Sequence, residues 1–84
     1  MLGMRIQDKL RWHERWSSAI GERLRVKDSS DDLFIFDAAH NRDEILGVLR
    51  EVPGDLFELF NVAEAPEEDC DYLADSGRCY RKTH

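Results

Sequence analysis

The sequence predicts a small α+β domain, with three helices packed on a small, largely antiparallel sheet made of two β-hairpins, in the order α-β-β-α-α-β-β. Three observations carry this expectation. Residues 5–24 and 41–52 repeat apolar side chains at helical spacing. Two strand–turn–strand patterns surround the polar stretch Asp28–Asp32 and the tripeptide Asp75-Ser76-Gly77. Finally, 84 residues leave room for one domain, residues 1–84, whose single modest core hides roughly 60–65% of the surface that the unfolded chain exposes.

The first helix is expected over residues 5–24. At 100° per residue, Ile6, Leu10, His13, Trp16, Ser17, Ile20 and Leu24 gather on one side, with Arg11, Glu14, Arg15 and Glu22 mostly elsewhere. His13 lies at the centre of that stripe, which predicts a buried or half-buried, hydrogen-bonded imidazole. Residues 23–27 then alternate polar and apolar, and Leu33-Phe34-Ile35-Phe36 follows the polar turn, giving the first hairpin. Because Leu33–Phe36 is apolar on both faces, its strand must be covered from both sides. Asn41-Arg42-Asp43-Glu44 has the N-cap and third-position acid of a capping box, and Ile45, Val48, Leu49 and Val52 supply the buried stripe of the second helix. Pro53-Gly54 ends it. Asp55–Glu58 repeats the capping logic and predicts a third helix through about Ala63, and Glu67–Asp71 forms a solvated linker before the terminal hairpin.

The two cysteines, Cys70 and Cys79, are too few for a disulfide scaffold. A three-residue hairpin loop pairs Ala74 with Arg78 and Leu73 with Cys79, which sends Cys70 and Cys79 to opposite faces. On this reasoning hairpin and disulfide exclude each other, and reduced thiols are expected.

Charge is unevenly placed. Residues 1–27 carry seven basic and three acidic side chains, a balance of +4, whereas residues 28–77 carry fifteen acids against Arg42 and Arg50, a balance of −13. Arg78, Arg81 and Lys82 bring the total to −6. Such a middle steers cationic partners and repels nucleic acid and anionic lipid. Some of these acids are explained by capping and the helix dipole, and intramolecular pairing with the basic N-terminal stretch would explain others. No apolar run approaches the ~18 residues needed to span a bilayer, and Arg5, Asp8, Lys9 and Arg11 interrupt any signal-like segment. No membrane association and a cytoplasmic address are therefore expected.

Motifs for chemistry are sparse. Asp37 and His40 form a conceivable carboxylate–imidazole pair, opposed by the reading that Asp37 and Asn41 satisfy backbone groups. No nucleophile has an evident base and no glycine-rich phosphate loop is present, so the chain is expected not to be an enzyme and to use no cofactor and no metal. Cys70, Cys79 and His84 are the ligands of an alternative structural zinc module, although their spacing is not a standard one. A second alternative is a nucleic-acid-binding regulator using Arg5, Arg11, Arg15, Arg25 and Lys27; the interspersed acids make nucleic acid the weaker choice.

The leading expectation is a small acidic non-enzymatic protein-binding module, an inhibitor or regulatory adaptor that meets a basic surface on a partner protein. Size and charge alone give it the character of phage or mobile-element inhibitors and bacterial immunity or antitoxin proteins. The expected third helix is apolar over more than half its circumference, so it is either the central core element between helix one and the sheet or an interface. In the interface case Leu56, Phe57 and Phe60, with Trp12, are the expected apolar anchors. Asp28, Asp31, Asp32, Glu67, Glu68 and Asp69 are the expected acidic frame. A homodimer through the same helix is the other arrangement considered.

Overall fold

A computed structural model describes residues 1–83. The chain is α+β, with six strands and two helices rather than two hairpins and three helices. In chain order they are β1 (Leu2–Ile6), α1 (Glu14–Arg23), β2 (Val26–Ser29), β3 (Leu33–Phe36), α2 (Arg42–Val48), β4 (Phe57–Ala65), β5 (Tyr72–Leu73) and β6 (Cys79–Thr83). Single 3₁₀ turns, Gly54–Leu56 and Glu67–Asp69, precede β4 and β5. All strand pairs are antiparallel, in the order β2-β3-β1-β4-β6-β5.

The two expected hairpins are present as β2–β3 and β5–β6. In the second, the amide of Ala74 donates to the carbonyl of Arg78 and Leu73 faces Cys79. Gly77 takes the left-handed φ of +91° that ends this three-residue loop. The capped second helix also forms where expected, with Asn41 Oδ1 accepting from the Glu44 amide at 2.8 Å.

Two helices differ from expectation. The span 5–24 divides into β1, a loop and the shorter α1, because Leu2, Met4 and Ile6 alternate with Gly3 and Arg5 and complete the sheet between β3 and β4. Leu10 and His13 consequently leave the buried stripe and are exposed. The third helix stops after its first turn, and residues 57–65 extend into the longest strand. A short segment apolar on all sides suits a central strand covered on both faces as well as a buried helix. Here β1 pairs with its first half, Phe57–Asn61, and β6 with its second half, Asn61–Ala65.

The sheet is curled, and each face has its own core. Met4, Ile6, Phe36 and Leu56 pack on one face against Trp16, Ile20, Leu24, Ile45 and Leu49 from the helices and their flanks. The other face folds in on itself around Leu33, Ile35, Phe60, Val62, Ala74 and Tyr80. Both faces of β3 are thus covered, as its composition demands. The ends of the curl meet where the Asp75 amide donates to the Ser29 carbonyl at 2.9 Å and Asp28 receives the hydroxyl of Tyr80.

Cys70 and Cys79 form a disulfide, which corrects the expectation of reduced thiols. The premise that failed is that Cys70 belongs to a strand. β4 and β5 lie on opposite sides of β6, so the connection between them must cross β6. Ala65 already faces Cys79 at the end of β4, and the 3₁₀ turn carries Cys70 back over the same residue, 5.1 Å away between Cα atoms. That separation suits a disulfide. Closing so short a loop stabilises the fold by about 2–3 kcal/mol in the chain-entropy account.

Gly3 marks the tightest point of the inner core. A Cβ there would lie 2.9 Å from Phe60 Cε2 and 3.2 Å from Ile35 Cδ1, and the Phe60 ring has little freedom because it stacks on Tyr72 at 4.8 Å. Gly3→Ala is expected to destabilise the fold by about 1–3 kcal/mol, read as a lower denaturation midpoint with an unchanged denaturant slope.

Candidate functional site

The acids proposed as a docking frame divide into three groups. Asp28 is buried; it accepts from Tyr80 Oη and from Arg78 Nη1 at 3.5 Å. A β-bulge places it there. Val26 faces Phe36 and Asp28 faces Ile35, so Lys27 is the extra residue and Asp28 turns inward in its place. Asp31 and Asp32, in the β2–β3 turn, are bridged by Lys9 and Arg5. Glu67, Glu68 and Asp69 are exposed on the 3₁₀ turn and make no ion pair among the described residues.

The apolar candidates divide too. Leu56 and Phe60 are interior, 1% and 5% exposed, and offer no surface. Phe57 is half-buried beneath the helical layer, and so is Trp12. Trp12 opens onto a groove of about 540 Å³ between the start of α1 and the β2–β3 turn. Ile6, Trp12 and Phe34 give its apolar lining, and Lys9, Glu14, Asp31 and Asp75 its charged groups. One base against three acids leaves that rim negative. The Trp12 ring is fixed by a hydrogen bond from Nε1 to Ser17 Oγ at 2.9 Å and by an edge-to-face contact with Trp16 at 5.2 Å.

Beside this groove runs the turn Asp8–Arg11, which sequence reading had assigned to helix. Asp8 Oδ1 accepts from the Leu10 amide at 3.1 Å, an Asx turn that competes with helical hydrogen bonding. Lys9 bridges to Asp31 on one flank, and Arg11 to Asp55 at 3.0 Å on the other. Each exposed pair adds little stability, but together they brace the turn against two other segments. Leu10, at its tip, is 99% exposed. Helical periodicity hid this residue; the i to i+2 spacing of Asp8 and Leu10 was the signal for the turn.

The basic N-terminal stretch is partly paired within the molecule, and Arg15, Arg23 and Arg25 stay exposed without an ion pair among the described residues. Arg5, Arg11 and Lys27 bridge to Asp32, Asp55 and Glu64. Asp37 serves the backbone, its Oδ1 accepting from the Ala39 amide at 2.9 Å. His40 pairs instead with Glu44, Nδ1 to Oε1 at 2.7 Å, while its Nε2 accepts from the Arg25 amide at 2.7 Å. Both ring nitrogens are therefore occupied. His13 is exposed and lies edge-on to Trp16. The disulfide removes Cys70 and Cys79 as thiolate ligands, which takes two of three ligands from the zinc alternative, and His84 lies outside the described residues. No cluster of three or more metal-ligating side chains occurs among the described residues. None of the described helices is long and apolar enough to cross a membrane.

Comparison with family models, with curated proteins and with solved structures gives no match. The functional reading therefore rests on the residues themselves.

Asp28 and Tyr80 shift each other's protonation in opposite directions. Burial pushes the Asp28 carboxyl up, but hydrogen bonds from Ser76 and Tyr80 and the charge of Arg78 outweigh it and hold the group below its ordinary value. Burial, followed by the neighbouring Asp28 carboxylate, pushes the Tyr80 hydroxyl up to about 12. A lowered folded-state carboxyl contributes stability that is complete above the unfolded value, ~4, and is lost as pH falls through the folded one. Asp28→Asn should cost about 1–3 kcal/mol at neutral pH, with the gap to wild type closing below about pH 4. For Tyr80 the sign reverses: stability should decline from about pH 10 to about pH 12. Denaturant titrations across pH check both limbs.

Proposed function

We propose that the chain is a small non-enzymatic protein-binding module, an inhibitor or regulatory adaptor, that docks a partner presenting a bulky apolar side chain flanked by lysine or arginine. The observation that carries this reading is Leu10, fully exposed on a turn braced by two ion pairs, beside an aromatic groove with a negative rim. Exposed leucines scattered singly need no explanation. This one sits on a braced turn whose neighbour Lys9 lines the groove together with Trp12 and Phe34, and preorganisation lowers the entropic cost of binding.

In this reading Trp12 serves as anchor and Asp31 as rim, both lining the groove. Leu56 and Phe60 serve the core, and Asp28 serves the closure of the sheet. Glu67, Glu68 and Asp69 form a second negative patch, which would act on approach rather than contact. The net charge of −6 favours a cationic partner over a second copy of the chain. The internal pairing of Arg5, Arg11 and Lys27 weighs against a nucleic-acid regulator. The disulfide favours an oxidising compartment over the cytoplasm.

A peptide display library selected on the immobilised full chain tests the reading. Sequences with a large apolar residue beside Lys or Arg should be enriched. Leu10→Asp should weaken their binding at least tenfold while leaving the circular dichroism spectrum and melting unchanged, since Leu10 is 99% exposed. Enrichment of acidic sequences, or equal binding to the variant, would overturn the proposal.

A further inference from the structure

A second groove, remote in character from the first, lies between α1 and the C-terminal end of α2. Its lining comprises Arg15, Trp16, Ala19 and Arg23 from α1 and Gly47, Val48, Arg50 and Glu51 from α2 and its flank. Arg15, Ala19 and Arg23 recur every fourth residue and so form one stripe of the helix. None of the three arginines makes an ion pair among the described residues. In a chain whose net charge is −6, this groove gathers three bases and one acid.

One further observation points to a ligand. Trp16 is 9% exposed, and its Nε1–H is buried with no hydrogen-bond partner, alone among the described side chains. A buried donor without an acceptor is rare in folded proteins and asks for an explanation such as a bound ion. The indole nitrogen of Trp12, by contrast, is satisfied by Ser17. Gly47 leaves the α2 wall of the groove low, with no atom within 4 Å of where its Cβ would lie.

We propose that this groove binds a phosphate group, as the free ion or as a small phosphate monoester, with Arg15, Arg23, Arg50 and the Trp16 indole as its donors. The groove volume, about 260 Å³, lies below the range of sites that enclose a whole drug-sized ligand and suits a head group. Donor number selects among anions. Three guanidinium groups and an indole N–H offer more donors than the two oxygens of a carboxylate accept, and the three terminal oxygens of a near-dianionic phosphate match them better. Arg15 already lies over the Trp16 ring, 5.8 Å from its centroid, which places one guanidinium group beside the indole. Glu51 opposes an anion, and its charge weakens the site.

The two indole N–H resonances of the ¹⁵N-labelled full chain, distinguished by Trp12→Phe, provide the readout. Titration with inorganic phosphate at low salt should move the Trp16 resonance saturably and leave that of Trp12 in place. Potassium chloride at matched ionic strength should move neither. Arg23→Gln and Arg50→Gln, both at exposed positions, should each weaken binding about tenfold or more, and Glu51→Gln should tighten it. O-phosphoserine, with serine as control, separates the two sources: tighter binding than inorganic phosphate assigns the site to a monoester, weaker binding to the free ion. A Trp16 resonance that stays fixed, a shift reproduced by chloride, or arginine variants that bind as wild type would overturn the proposal.

Discussion

The structure depends on one buried carboxylate. A six-stranded sheet in a chain of 84 residues is too large to remain flat and still cover both faces. It curls, and the curl has to be joined where its ends meet. Asp28 makes the junction by accepting the Tyr80 hydroxyl from β6 and facing the Arg78 guanidinium from the adjacent turn. A carboxylate is costly to bury unless its oxygens are satisfied. The bulge at Lys27 positions it so that they are. The Asp75–Ser29 backbone bond completes the closure, while the Cys70–Cys79 bridge ties the β4–β5 connection to β6.

Closure of the sheet also determines what the surface can offer. With the inner core sealed by Tyr80, Phe60 and Ile35, the helices are left to cover only the outer face, and they cover it incompletely. Phe34 and Trp12 stay half-buried at one margin, and the α1–α2 groove stays open at another. The margins differ in sign. The Trp12 groove has an acidic rim and the α1–α2 groove a basic one, so an acidic protein presents two grooves of opposite local charge.

Elements written in local signals were legible in the sequence. The Asn41–Glu44 cap, the Asp75-Ser76-Gly77 turn with its register, and the two-sided cover of Leu33–Phe36 all follow from a few adjacent residues, and the structure contains each of them. Elements decided by partners were not. Residues 57–65 are apolar in every direction, and only the presence of β1 and β6 beside them makes them a strand. Residues 2–6 show two-residue alternation too short to compete with the helical stripe that begins at Ile6. Cys70 was misplaced because its position depends on how the chain crosses β6, which is a property of strand order. The groove proposed for docking was partly legible: Trp12 and Asp31 are named as candidates from the sequence, but Phe34 and Asp75 join it only through the fold.

The claim that Asp28 closes the curl is tested most directly by hydrogen exchange of the Asp75 amide, which is bonded to Ser29 across the junction at 2.9 Å. In Asp28→Asn, that amide and those of β6 facing β5 should exchange faster than in wild type, while the amides of α1 keep their protection. Unchanged protection of the Asp75 amide in a folded variant would contradict the account.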